Sequence, residues 1–148
     1  MKVLVLFFTF LSLILAMNSK DDEFFKDVNQ TCAVKFINVF KAPNFIAALE
    51  YKDGKKVLFS SAKLMFYYYF NADKSEFKNL YVTDYKNKNL INAKKAFYVF
   101  GSRIVSSSGD DLIPFSSLED ALEFSKENSG HKLFFFNEIT KNLILYLD

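Results

Sequence analysis

The chain has one cysteine, no tryptophan and almost no net charge, and each shortage closes off a class of function. With Cys32 alone, no intrachain disulfide can form, even in an oxidising compartment that would permit one. A formal charge of +2 lacks the concentrated basic face that nucleic-acid binders carry, and losing Lys2 with a targeting segment would bring it nearer to neutral. The lysines at 86, 88, 94 and 95 cluster in sequence, but a short run of this kind reads as a solvated turn. There is no phosphate loop, no Cys-x-x-Cys, no His-Glu-x-x-His and no Gly-x-Ser-x-Gly. The adjacent acids Asp110-Asp111 and Glu119-Asp120 do not face each other as a catalytic pair would.

What the chain has in quantity is aromatic surface. Nineteen Phe and eight Tyr point to a core of aromatic-faced sheet and helix and away from disorder. A chain of 148 residues makes one domain, or two small repeats sharing one core. At that size it buries roughly two thirds of its unfolded surface and needs no covalent staple.

Residues 1–19 read as an export signal. Lys2 supplies the positive end, and residues 3–17 form an apolar run interrupted only by Thr9 and Ser12. As a helix, that run would span about 22 Å against a hydrocarbon core of about 30 Å, which favours a cleavable signal over a permanent span. An uncleaved amino-terminal anchor is the alternative. The expected compartment is therefore the periplasm, with membrane attachment only through this segment if it is retained. Residues 20–31 follow as a charged leader in which Phe24 and Phe25 tuck down, and residues 32–148 form the domain.

Within the domain, Asn44 to Tyr51 is apolar, Asp53-Gly54 supplies the positive φ of a hairpin turn, and Lys56-Val57-Leu58-Phe59 returns. Ser60 and Ser61 are capping oxygens for residues 62–70, where Leu64, Met65, Tyr68 and Tyr69 share a helical face; the tyrosines make a strand the competing assignment. Residues 79–83 then form a strand. The order recurs about fifty-six residues later, with Phe59-Ser60-Ser61 matched by Phe115-Ser116-Ser117. Ser116 with Glu119 fits a capping box, Leu118, Ala121, Leu122 and Ser125 form a helix face, and Gly130 offers a left-handed stop. Residues 132–136 are expected as a buried strand, and residues 143–147 as a closing strand. The expected class is α+β, two fused β-β-α-β repeats at about 44–85 and 95–140, preceded by the signal helix.

One stretch carries more than local pattern. Val82-Thr83-Asp84-Tyr85, the run from Asn92 to Ser102, Leu112-Ile113-Pro114-Phe115-Ser116-Ser117, Glu119-Asp120-Ala121 and Asn137-Glu138-Ile139-Thr140 together resemble the NosL family. Those proteins are lipoprotein accessories of nitrous oxide reductase that carry copper(I). The resemblance implies the two-unit fold, a non-enzymatic role, Cu(I) as the metal, and a periplasmic copper enzyme or its maturation factors as partner. No cysteine falls near residue 17, so lipid anchoring of the family's kind is not expected.

Copper(I) prefers thiolate, thioether and imidazole. The soft donors after the signal are Cys32, Met65 and His131, with Met17 if it is retained. The family's Cys-x-x-Cys-Gly-Met segment corresponds to Cys32-Ala33-Val34-Lys35-Phe36-Ile37. Ungapped, Cys32 falls on the first cysteine; with a three-residue insertion it falls on the second. The family's Gly-Pro-Met-Gly turn reads Ser106-Ser107-Ser108-Gly109 here, a hard oxygen in place of a thioether. Cys32 is accordingly the one candidate metal ligand, with Lys35 placed to favour its thiolate; it is otherwise a buried inert thiol or a partner for another chain. Met65 reads as core and His131 as an exposed turn residue. Two functions follow: an exported copper-handling accessory protein, or a scaffold that kept the fold and lost the site.

Overall fold

The computed structural model describes residues 19–147, so the proposed signal, with Lys2 and Met17, lies outside the described residues. Two β-β-α-β units stand in sequence. The first comprises β1 (Ala47–Tyr51), β2 (Lys56–Phe59), helix α2 (Ala62–Asn71) and β3 (Phe77–Thr83). The second comprises β5 (Phe97–Phe100), β6 (Leu112–Phe115), α3 (Leu118–Glu127) and β7 (Lys132–Phe135). Helix α1 (Ser19–Phe25) precedes the first unit, β4 (Leu90–Asn92) lies between the two, and α4 (Lys141–Tyr146) ends the chain.

Both sheets are antiparallel and share one order. The first runs β2-β1-β3-β4 and the second β6-β5-β7, so each hairpin places its first strand at the centre. Ala47 faces Phe59 and Val82, as Phe97 faces Phe115 and Phe135, which makes the two units residue-for-residue counterparts. The repeated Ser-Ser pairs have one job in both. Ser61 Oγ accepts the Leu64 N–H at 3.2 Å, and Ser117 Oγ accepts the Asp120 N–H at 3.1 Å. Each caps its helix, an arrangement worth about 1 kcal/mol.

The core follows from strand alternation. Ala47, Leu49, Phe59 and Val82 leave the first sheet on the face that α2 covers, with Phe59 and Tyr68 rings 5.3 Å apart. The opposite face takes α1, where the Phe24 ring meets Tyr81 at 4.9 Å and Lys56 sits over it. In the second sheet, Val99, Ile113 and Phe115 pack on Ala121 and Phe124 of α3. The other side joins the main core, with buried Tyr98 edge-on to Phe66 of α2 at 5.4 Å. Helix α2 is thus shared by both sheets, and residues 62–66 are buried all round.

Several expectations need correction. Ser116 does not cap α3; its N–H and hydroxyl go to Asp84, and Ser117 takes the cap. The buried face of α3 is Ala121 and Phe124, while Leu118 and Leu122 are exposed. Ser129, at φ 57°, takes the left-handed position after α3. Gly130 is needed for space instead, because a Cβ there would lie 2.4 Å from Ser125 Oγ. Strand β7 is an edge strand with Lys132 and Phe135 exposed, not a buried one. Residues 143–147 form no strand: Thr140 Oγ1 accepts the Leu143 N–H at 3.2 Å, and α4 buries Ile144 and Leu147 against the core. The segment read as a leader contains α1, whose Asp21 accepts the Leu90 N–H at 3.1 Å.

Candidate metal-handling site

Cys32 lies beside β2, paired in parallel with Leu58. The Ala33 N–H reaches Leu58 O at 2.9 Å, and the segment then folds back on itself: Phe36 N–H bonds Cys32 O at 3.0 Å, and Cys32 N–H bonds Ile37 O at 2.8 Å. This tight loop puts Phe36 at φ 57° and leaves it 80% exposed. The thiol itself is fully buried. Its Sγ accepts the Lys35 N–H at 3.5 Å.

Burial works against the Cys32 thiolate, but the backbone N–H groups of Lys35, Val34 and Ser60 and the Ser60 hydroxyl outweigh it. The thiol pKa is therefore held below its ordinary value. Lys35 contributes through its peptide N–H, not through the side-chain charge that the sequence suggested. Ser60 Oγ is buried and has no other hydrogen-bond partner, which leaves it free to face the sulfur. The loop thus stabilises a thiolate inside an apolar core.

The other soft donors are elsewhere. Met65 is buried on α2, on the sheet face that Phe59 occupies, whereas Cys32 registers with Leu58 on the alternate side. His131 stands exposed before β7, its ring 6.1 Å from Phe100. Among the described residues, no cluster of three or more His, Cys, Asp or Glu side chains could hold a metal.

The turn that would carry a thioether has a different chemistry. Ser106 and Gly109 close it through N–H to O bonds of 2.9 and 3.2 Å, and Ser106 Oγ accepts the Ser108 N–H at 3.0 Å. Lys63, buried in the first turn of α2, donates from Nζ to Ser108 O and to Leu147 O, both at 2.8 Å. Asp111 is buried beside it, with Oδ1 accepting the N–H groups of Lys63 and Leu112 at 2.8 Å each. Burial raises the Asp111 pKa despite these bonds and the nearby Ser106 and Ser61 hydroxyls. An ammonium and hard oxygens organise this corner. Sequence reasoning read Lys63 only as a member of the 62–70 helix and Asp111 only as half of an adjacent acidic pair; the one available signal was a lysine in the first turn of an otherwise apolar run, two residues after Ser61.

Asp84 explains the most recognisable stretch. Its carboxylate, fully buried, accepts N–H groups from Lys86, Asn87 and Ser116 at 2.9, 3.1 and 3.1 Å, the Asn87 side-chain amide at 3.0 Å, and the Ser116 hydroxyl. Lys86 then bridges to Asp120 and Glu123 of α3 at 2.6 and 3.1 Å, so the lysine read as solvated is half of an interdomain-style tie between the repeats.

A model of the NosL family matches residues 26–144. The chain belongs to the NosL family. Its fold agrees with the crystal structure of the copper chaperone NosL from Shewanella denitrificans, with a TM-score of 0.70 and 27% sequence identity. That match covers 78% of this chain and 93% of the other. Comparison with curated proteins returned no match. This NosL-family chain accordingly has the two-unit α+β scaffold with a single buried thiol at the edge of its first sheet.

Proposed function

We propose that this chain is an exported, non-enzymatic accessory protein that handles Cu(I) as cargo during maturation of a periplasmic copper enzyme such as nitrous oxide reductase. The observation that carries the reading is the Cys32 loop: a thiol in a family scaffold, with peptide N–H groups and a hydroxyl arranged to favour its ionised form. Loading releases the thiol proton and forms a Cu–S bond. One sulfur does not complete the two- or three-coordinate shell that Cu(I) prefers. A second soft donor comes from the recipient or donor protein in a shared, transient site that forms when the loop over the buried Cys32 sulfur opens, which suits a carrier that must release its cargo.

The second reading, a scaffold without metal, is supported by Ser108 and Lys63, which place a hard oxygen and an ammonium where a thioether would stand. Competition titration with a chromophoric Cu(I) chelator separates the two. Uptake by the mature chain that disappears in Cys32→Ser supports copper handling. Equal, negligible uptake by both would establish the scaffold reading.

A further inference from the structure

The two repeats differ at one edge. In the first, the outer side of β3 is covered by β4, which runs antiparallel with Tyr81 facing Asn92, Val82 facing Ile91 and Thr83 facing Leu90. In the second, no strand among the described residues lies on the equivalent outer side of β7, where the chain turns into the 3-10 segment Phe136–Glu138 and then α4. Through their shared pairing with Ala47 and Phe97, Val82 and Phe135 are counterparts. The residue across from Val82 is Ile91, and no described residue pairs with Phe135 on its outer side.

The bare edge is also the apolar one. Phe135 is 53% exposed, edge-on to Phe97. Lys86 binds Asp120 and Glu123 on one flank of α3, and helical spacing puts Leu118 and Leu122 on the other, with Ser125, whose side chain lies against Gly130 just before β7. Those two leucines are 44% and 53% exposed. Across the sheet, Tyr146 is 77% exposed beside Phe100, which also stacks edge-on to Phe134. Large exposed apolar side chains gathered on both faces of an open strand edge mark a pairing surface.

We propose that β7 takes up an extended aliphatic segment of a partner protein as an added antiparallel strand, in the place that β4 fills in the first repeat. The main chain of Leu133 and Phe135 supplies the hydrogen bonds, and an aliphatic side chain opposite Phe135 rests between Phe135 and the α3 leucines. Glu138 guards the edge. Its carboxylate accepts the Phe135 N–H at 2.8 Å, doing in the free chain what the incoming carbonyl does in the complex. The proposal is independent of whether Cys32 carries copper.

The test uses the full chain and a peptide copied from β4, residues 88–93, with an all-polar peptide of the same length as control. Amide exchange is followed at Leu133 and Phe135, and mass by sedimentation. The expected result is at least tenfold slower exchange at both amides with the β4 peptide alone, stronger binding to Glu138→Ala, and loss of binding in Phe135→Ser with the rest of the exchange map unchanged. No protection even in Glu138→Ala would overturn the proposal. So would a dimer in which both amides are already protected, since a second copy would then own the edge.

Discussion

The buried carboxylate of Asp84, at the end of the first repeat, accepts both the N–H and the hydroxyl of Ser116 at the start of the second repeat's helix. Three further donors from Lys86 and Asn87 complete its shell. A carboxylate is the one small side chain that can accept that many bonds while donating none.

Asp84→Asn is expected to cost about 2–4 kcal/mol, because an amide donor would face donors it cannot satisfy. Burial alone would raise the Asp84 pKa, but the Ser116 and Asn87 bonds outweigh it and hold it below the ordinary carboxylate value. A folded-state pKa lowered in this way contributes stability above the unfolded value and loses it as pH falls through the folded one. Urea denaturation across pH 2–7, on the order of that titration range, should show the wild-type advantage over Asp84→Asn shrinking toward acid; a constant difference would refute the assignment.

Asp111 has the opposite sign. Its pKa is raised by burial, so its ionisation costs stability as pH climbs from the ordinary aspartate value near 3.8 through the folded one. Asp111→Asn keeps the acceptor for the Lys63 and Leu112 N–H groups and removes that cost. Its stability relative to wild type should therefore improve with rising pH, whereas Asp111→Ala loses the acceptor and costs about 2 kcal/mol at acid pH, a deficit that shrinks in parallel as pH rises.

Gly130→Ala should be among the most damaging single-methyl additions in the chain. The new Cβ would lie 2.4 Å from Ser125 Oγ, 2.7 Å from Val99 Cγ1 and 2.9 Å from Ser125 Cα, between a helix and a strand that have no room to part. A loss of about 2–3 kcal/mol, read as a drop in Tm, is expected from such overpacking. Gly54→Ala meets no neighbour and pays only for φ +88°, on the order of 1 kcal/mol. If both variants melt alike, the close approach at Gly130 is not real.

Cys32 should react slowly in the native chain and fast once the loop opens. A thiol reagent is expected to modify one cysteine per chain in denaturant and to lag by roughly a hundredfold in buffer, since it must await local opening. Alkylation under conditions that report thiolate fraction should inflect below the ordinary thiol value near 9.0. Lys35→Gln should leave that inflection in place, because the donor is the peptide N–H; a large upward shift would restore the side-chain charge as the cause.

Much of the scaffold was legible because its signals are local. The hairpin at Asp53-Gly54, the helix after Ser61 and the echo of Phe-Ser-Ser at 59 and 115 all appear where they were expected, since turn chemistry and capping act over a few residues. The errors fall where two partners compete. Ser116 and Ser117 are equally good caps in isolation, and only Asp84, thirty-two residues away, draws Ser116 off. Residues 143–147 are apolar enough for a strand, but the Thr140 cap, with Ile144 and Leu147 facing the core, makes a helix instead.

Sequence alone determined the repeated β-β-α-β plan, the single thiol and the absence of a polydentate set of soft donors in residues 20–148, because these depend on residue identity, count and short-range order. Tertiary structure alone decided that the Cys32 thiolate is favoured by peptide N–H groups, that Lys63 and Asp111 are bonded to each other in the core, and that no described strand covers β7 as β4 covers β3. The reason is physical: burial, hydrogen-bond supply and strand adjacency arise only when segments distant in sequence are brought into contact.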